Sequence, residues 1–134
     1  MARYDRGGHR RLLGNGHRAA SVYNNLGELA AAEDDLERVR ALFDHAARIF
    51  ANGLGAEHPN VAYPLQGLGL ALVDAGRAGE ALPILERALA IRVKSKTAPM
   101  LVAETEVTRA RAVSILAILG GARAATVAPW RVTQ

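Results

Sequence analysis

The sequence predicts an all-α fold built from antiparallel helix–turn–helix repeats. The first observation is a repeat with a period of about 42 residues, in which Leu26-Gly27 recurs as Leu68-Gly69. Further matches at this spacing are Ala20 with Ala62, Ala46 with Ala88, and Ile49 with Ile91. The second is composition: 50% of the residues are hydrophobic but only 4% are aromatic, so a core of Ala, Leu, Val and Ile is expected, which suits closely packed helices. A fixed period of this size is typical of stacked units that bury their apolar faces against their neighbours.

The first copy of the repeat contains two predicted helices, over residues 19–32 and 36–52. In each of them, apolar or small residues recur every three or four positions, which places them on one helical face. The acidic residues 33–35 separate the two helices and place negative charge at the start of the second, where the helix dipole favours it. The stripe predicted to be buried on the second helix comprises Val39, Phe43, Ala46 and Phe50. Gly53 and Gly55 are expected to end that helix.

The second copy repeats this plan. Its first helix is expected to begin near Asn60, with Asn60 as the N-cap, because Pro64 requires a position where its missing N–H would be unpaired. Residues 74–76 form the predicted turn, and the next helix ends near Lys94. The stripe predicted on that helix comprises Ala81, Leu85, Ala88 and Arg92. Small residues at matching positions, Gly27/Ala46 and Gly69/Ala88, are expected to let the paired backbones approach closely.

A fifth helix is predicted from Pro99, which suits the first helical position, to about Leu119. Val102-Ala103 echoes Val61-Ala62 one position earlier than the repeat period would place it, which indicates the start of a third repeat. Gly120-Gly121 is expected to end this helix. The remaining tail, which contains Trp130, shows no partner helix of ordinary length.

The basic residues are concentrated at the N-terminus. Residues 1–18 contain five arginines, one aspartate and four glycines, and this segment accounts for the whole net charge of +4. Without apolar periodicity, it is predicted to be a flexible basic arm. An arm of this kind is also a candidate nucleic-acid contact. Because the rest of the chain is neutral and Tyr4 is the only aromatic residue in the arm, nucleic-acid binding is the less favoured hypothesis.

Several classes of site are not expected. The chain has no cysteine, which excludes disulfides and thiolate metal sites. None of the four histidines is paired with another at a spacing of four residues, and no nucleophile–base arrangement is recognisable, so no metal, cofactor or catalytic activity is predicted. The longest apolar run, Val113 to Leu119, is far short of the ~20 residues that a membrane-spanning helix requires. These features favour a cytoplasmic protein without a membrane segment.

The repeats resemble the tetratricopeptide repeat, and their period resembles that of its kinesin-light-chain-like subtype. In the first repeat the matching residues are Tyr23, Leu26-Gly27, Val39, Phe43 and Ala46, and in the second they are Leu65, Leu68-Gly69, Ala81, Leu85 and Ala88. The connector over residues 54–62, with His58-Pro59 followed by Val61-Ala62, is also similar to that subtype. The resemblance implies a short right-handed α-solenoid. The predicted units are an arm (1–18), repeats (19–60 and 61–98), a degenerate half-repeat (99–118) and a tail (119–134).

The resemblance further implies that the first helices of the repeats line a concave groove. The positions expected to face it are Ser21, Asn24, Glu28, Tyr63, Gln66, Leu70, Val73, Glu104, Val107 and Arg111. Asn24 and Gln66 are expected to hydrogen-bond a peptide backbone, since amides both donate and accept. Tyr63 and Leu70 are expected to hold an apolar anchor. The alternative interpretation is that these are ordinary solvated helix residues. The lysines with which some family members hold a C-terminal carboxylate have no counterpart here.

These observations predict a protein-interaction module, a scaffold or adaptor whose partner is a protein, a peptide or a partner helix. The first alternative is a C-terminal regulatory piece of a larger bacterial signalling protein, such as a serine/threonine kinase. The second is a nucleic-acid-binding adaptor that uses the basic arm. Because about three repeats are needed for a self-sufficient stack, exposed apolar ends are expected, and the fifth helix is predicted to pack on its copy in a homo-oligomer.

Overall fold

Five α-helices make up the part of the chain that the computed structural model describes, which is the backbone of residues 2–127 with the side chains of residues 16–120. The helices are α1 (Ala2–Ala32), α2 (Leu36–Leu54), α3 (Pro59–Asp74), α4 (Ala78–Lys94) and α5 (Pro99–Val127), and no strand occurs among these residues. Each helix contacts the next, and α3 also contacts α1 and α5. The predicted all-α solenoid of stacked helix pairs is confirmed.

Helix α2 begins and ends where the local chemistry of the sequence requires. The side chain of Asp35 accepts a hydrogen bond from the backbone N–H of Arg38 at 3.2 Å, which caps the N-terminus. Gly55 follows the last turn with a φ of 107°, a value that side chains disfavour and glycine accepts. The turn between α3 and α4 uses Gly76 in the same way, with a φ of 79°. The predicted turns of both repeats are therefore present.

The N-terminus of α3 differs from the prediction in its capping residue. The cap is His58, whose Nδ1 accepts a hydrogen bond from the N–H of Asn60 at 3.1 Å, so the prediction of Asn60 as the cap is wrong. The helix begins at Pro59, where a missing N–H costs nothing. Pro64 and its counterpart Pro83 in α4 both lie at the sixth helical position, inside the helices rather than in their first turns.

Replacing His58 with alanine is expected to lower the free energy of unfolding by about 1 kcal/mol, the usual value of an N-cap side chain. His58→Asn is the matched control, because asparagine supplies a cap acceptor and should recover most of the loss. Urea unfolding followed by circular dichroism measures both changes. Equal stabilities of the alanine and asparagine variants would show that the cap hydrogen bond contributes nothing.

The core consists of two groups of buried residues joined by Ile84, which packs against both. Around the first, the buried ring of Phe43 on α2 fills the space at Gly27 on α1 and Gly67 on α3. A Cβ atom at Gly67 would lie 2.5 Å from Cζ of this ring, and one at Gly27 would lie 2.8 Å from Cε1. Leu85 on α4 fills the corresponding space at Gly69. The glycines that recur in the two repeats thus provide room for one large side chain per helix pair.

Both ends of the helical stack are longer than predicted. α1 begins at Ala2, whereas the sequence predicted a flexible arm over residues 1–18 and a helix from residue 19. α5 continues through Gly120-Gly121 to Val127, beyond the predicted end at Leu119. An interior glycine lowers helix stability by only about 1 kcal/mol, so glycine alone does not end a helix. The division into arm, repeats and tail stays a prediction, and Trp130 lies outside the described residues.

Candidate functional site

A groove of about 400 Å³ lies between α1, α3 and α5, the first helices of the successive repeats. Five of the positions predicted to face a groove line it: Glu28, Tyr63, Gln66, Leu70 and Glu104. The remaining lining residues are Ala31, Phe43, Gly67, Ala71, Asp74, Arg92 and Leu101. A second cavity of about 230 Å³ is lined by two more predicted residues, Ser21 and Asn24. Tyr63 borders both cavities, so the lining residues form one continuous track along α1 and α3.

Three predicted positions do not line either cavity. Val73 is only 3% exposed and belongs to the core, so its assignment to the groove surface is wrong. Because a helix advances 3.6 residues per turn, the residue that follows Leu70 on the groove side is Asp74. Val107 is exposed on another face of α5. Arg111 lies at the edge, where its Nη2 contacts Oδ1 of Asp74 at 3.0 Å.

Gln66 is held in one orientation at the floor of the groove. The hydroxyl of Thr108 donates to the carbonyl oxygen of Glu104 at 3.0 Å, so its oxygen is left to accept. Nε2 of Gln66 donates to the hydroxyl oxygen of Thr108, also at 3.0 Å. Oε1 of Gln66 therefore remains as a buried acceptor with no partner among the described atoms. A buried acceptor of this kind usually gains a hydrogen bond from an ordered water or from a small movement of its side chain.

Arg92 is a residue of the groove that sequence reasoning placed in the core and did not recognise as part of the site. Its side chain is 2% exposed, and Nη1 donates to the carbonyl oxygen of Leu101 at 3.0 Å and to Oγ1 of Thr105 at 2.7 Å. The guanidinium carbon lies 5.3 Å from the ring centroid of Tyr63, within cation–π range. The signal in the sequence was an arginine at a position where the helical pattern requires an apolar residue.

The charge of Arg92 is partly compensated within the groove. Burial lowers the pKa of Arg92 below its ordinary value, and attraction by Glu104 and Tyr63 opposes that shift. Oε2 of Glu104 is 4.0 Å from Nη1 of Arg92. Asp74 is paired with Arg111, whereas Glu28 forms no ion pair with any described residue. The rim of the groove is therefore slightly acidic around an apolar centre formed by Tyr63 and Leu70.

A family model for the tetratricopeptide repeat matches residues 10–92, which is more than half of the chain. The chain belongs to the tetratricopeptide repeat family. The match begins nine residues before the predicted start of the first repeat at residue 19. Tetratricopeptide repeats are generally protein-interaction modules and typically non-enzymatic scaffolds. No significantly similar protein of curated function and no significantly similar solved structure was found.

What this tetratricopeptide repeat can do chemically follows from the groove. It combines exposed apolar side chains with buried hydrogen-bonding groups, which are the means by which a protein surface holds a peptide or helix. Within residues 16–120 there is no cluster of three or more histidine and carboxylate side chains placed to hold a metal ion. Among the helices described, none has both the length and the apolar character needed to cross a bilayer.

Proposed function

We propose that this protein is a scaffold or adaptor that holds a peptide segment or partner helix in the groove between α1, α3 and α5. The observation that carries the proposal is the position of Tyr63 and Leu70. Both side chains are largely apolar, partly exposed and about two helical turns apart in a groove bounded by three helices. A cavity of this volume accommodates one large side chain of a ligand, and aromatic and aliphatic walls of this kind form anchor sites in protein interfaces.

Two amides extend this apolar centre along the groove. Asn24 Oδ1 and Gln66 Oε1 are both buried acceptors without a partner among the described atoms. Asn24 lines the smaller cavity and Gln66 the larger, with Tyr63 between them. We infer that a ligand chain rests an apolar side chain on Tyr63 and Leu70, and that its N–H groups reach the two oxygens once the amide side chains turn toward the groove. The acidic rim with Glu28 favours ligands with a basic residue beside that anchor.

The experiment is a selection of binding peptides from a random displayed library, followed by titration calorimetry with the purified variants. Tyr63→Ala and Leu70→Ala are expected to weaken selected peptides by at least tenfold, because an anchor contact contributes about 1.4 kcal/mol or more. Val22→Ala and Leu29→Ala are matched controls, since both side chains are exposed on α1 but line neither cavity. We expect the controls to change affinity by less than about twofold.

Two results would contradict the proposed function. Selected peptides that bind the groove variants as tightly as the unaltered protein would place binding elsewhere. Selected peptides whose affinity falls equally in the groove and control variants, while circular dichroism shows that each variant is folded, would likewise place the binding surface outside the groove. A titration of the protein with duplex DNA at increasing salt tests the less favoured nucleic-acid hypothesis, because phosphate-driven binding weakens steeply with added salt.

The finer assignments rest on the sequence and belong to the same proposal. We infer that the repeats are of the kinesin-light-chain-like subtype, supported by the repeat period and by the His58-Pro59 connector. A cytoplasmic, bacterial setting and a place as the regulatory piece of a larger signalling protein stay predictions. Binding of a selected peptide to the isolated chain, without any further domain, would favour the adaptor role over the regulatory one.

A further inference from the structure

The outer face of α5 exposes several large apolar side chains. Met100 is 82% exposed, Val107 61% and Ile118 69%. Residues at alternating spacings of three and four continue this face along the helix and form its outer stripe: Met100, Ala103, Val107, Ala110, Ser114 and Ala117. All six are exposed, and Ile118 follows at the C-terminal end of the outer stripe. At 1.5 Å per residue the outer stripe is about 27 Å long, enough to pack along another helix.

The two complete repeats show which kind of side chain packs on the face that corresponds to the outer stripe. In each complete helix pair, a large side chain of the second helix fills the space over a small residue of the first: Phe43 over Gly27, and Leu85 over Gly69. Ala110 occupies the position equivalent to Gly69 when α5 is aligned with α3 through Val102-Ala103 and Val61-Ala62. Ala110 is exposed, so the space above it is open to a side chain from another helix.

We propose that the outer stripe binds α5 of a second copy, antiparallel and related by a two-fold axis that passes midway between Val107 and Ala110. In this arrangement Val107 of each copy lies over the partner's Ala110. Val107 then fills the space over Ala110, as Phe43 fills the space over Gly27 and Leu85 the space over Gly69. Met100 then faces the partner's Ala117, and Ala103 faces the partner's Ser114. A large residue faces a small one at Met100 and at Val107, and two small residues meet at Ala103, where the two helices can approach closely.

The charges beside the outer stripe complement each other in the antiparallel arrangement. Glu104 and Arg111 are seven residues apart on one flank of the outer stripe, and both are exposed. Antiparallel packing on this axis places Glu104 against the partner's Arg111, and the symmetry creates the same ion pair twice. Arg111 contacts Asp74 within its own chain, but a guanidinium has five N–H donors and can bind two carboxylates at once.

Sedimentation equilibrium of the intact chain tests the proposal. A single helix-on-helix contact is a small interface, so a weak dimer is expected, and concentrations up to about 500 µM are needed. Val107→Glu is expected to weaken dimerisation by at least tenfold, because it places a carboxylate over the partner's Ala110. Val22→Glu is the control, with a comparably exposed valine on α1. It should leave dimerisation unchanged, and circular dichroism verifies that both variants fold.

A charge exchange tests the antiparallel register, with circular dichroism of each variant as the folding check, because Glu104 lies near Arg92 and Arg111 contacts Asp74. In a dimer of Glu104→Arg, an arginine at position 104 faces the partner's Arg111 at both symmetric contacts. In a dimer of Arg111→Glu, Glu104 faces a glutamate at both contacts. Each variant alone is therefore expected to be monomeric. An equal mixture of the two restores both ion pairs in a heterodimer, which a merely structural effect of either substitution does not explain. A monomeric unaltered chain at about 500 µM overturns the proposal. A dimer that survives Val107→Glu, or a mixture that stays monomeric, overturns it equally.

Peptide binding in the groove and association through the outer stripe share Glu104 but are separable through variants at other residues. The groove variants Tyr63→Ala and Leu70→Ala leave the outer stripe intact, and Val107→Glu leaves the groove lining intact. A chain that dimerises but selects no peptides would refute only the groove. A monomeric chain that selects groove peptides would refute only the dimer.

Discussion

Replacing Phe43 with alanine is expected to lower the free energy of unfolding by about 3–5 kcal/mol, a large part of the stability of a domain of this size. The ring is buried and fills the space at Gly27 and Gly67, on two different helices. Neither glycine has a side chain that can move into the space the ring leaves. The cavity therefore stays open, and its cost adds to the lost burial of the ring.

Urea unfolding followed by circular dichroism measures this loss, with Leu29→Ala as the control. Leu29 is an exposed side chain on α1, and its truncation should change stability by less than about 0.5 kcal/mol. Phe43→Leu is expected to fall between the two, because it fills part of the space. A loss below about 1 kcal/mol for Phe43→Ala would mean that α1, α2 and α3 close together over the missing ring.

Replacing Arg92 with alanine is expected to lower the free energy of unfolding by about 2–4 kcal/mol, mainly through the volume lost at a fully buried position. The hydrogen-bond partners of Arg92 are not stranded by this change. The hydroxyl of Thr105 also donates to the carbonyl oxygen of Leu101, so both groups keep one partner. Glu104 is half exposed and stays hydrated when the guanidinium is removed.

Two further substitutions separate the volume of Arg92 from its charge. Arg92→Met keeps an unbranched chain without the cost of burying a cation, and a loss below about 1 kcal/mol is expected. Arg92→Lys keeps the charge, but its shorter side chain does not reach the position of Nη1, which donates to both Leu101 and Thr105, so a larger loss is expected. Denaturant unfolding ranks the three variants. A methionine variant as unstable as the alanine variant would show that the hydrogen bonds, not the volume, hold this position.

The sequence predicted those parts of the fold that depend on local chemistry. The paired helices, the acidic turn before α2, Gly55 after it and the turn at Gly76 all follow from residues next to the feature they determine. The prediction of Asn60 as a cap was wrong because His58 and Asn60 are both capable acceptors two residues apart. Only the backbone geometry selects His58.

The rest of the candidate site depends on packing between distant parts of the chain. Arg92 becomes a groove residue only because Leu101 and Thr105, on the following helix, accept its N–H groups. Val73 enters the core because a difference of one position changes the direction of a side chain by about 100° on a helix. The lengths of α1 and α5 were missed because glycine content was weighed more heavily than the small helical cost that glycine imposes.

The position of Phe43 between two glycines also determines which units can stand next to each other. Gly27 belongs to the same helix pair as Phe43, but Gly67 belongs to the next pair. The position equivalent to Gly67 one repeat later is Thr108, and the equivalent of Phe43 is the smaller Leu85. The ring of Phe43 in the first unit thus packs against a position of the second unit that has no side chain. The two units are consequently not interchangeable, because the packing between them requires the large side chain in the first unit and the glycine in the second.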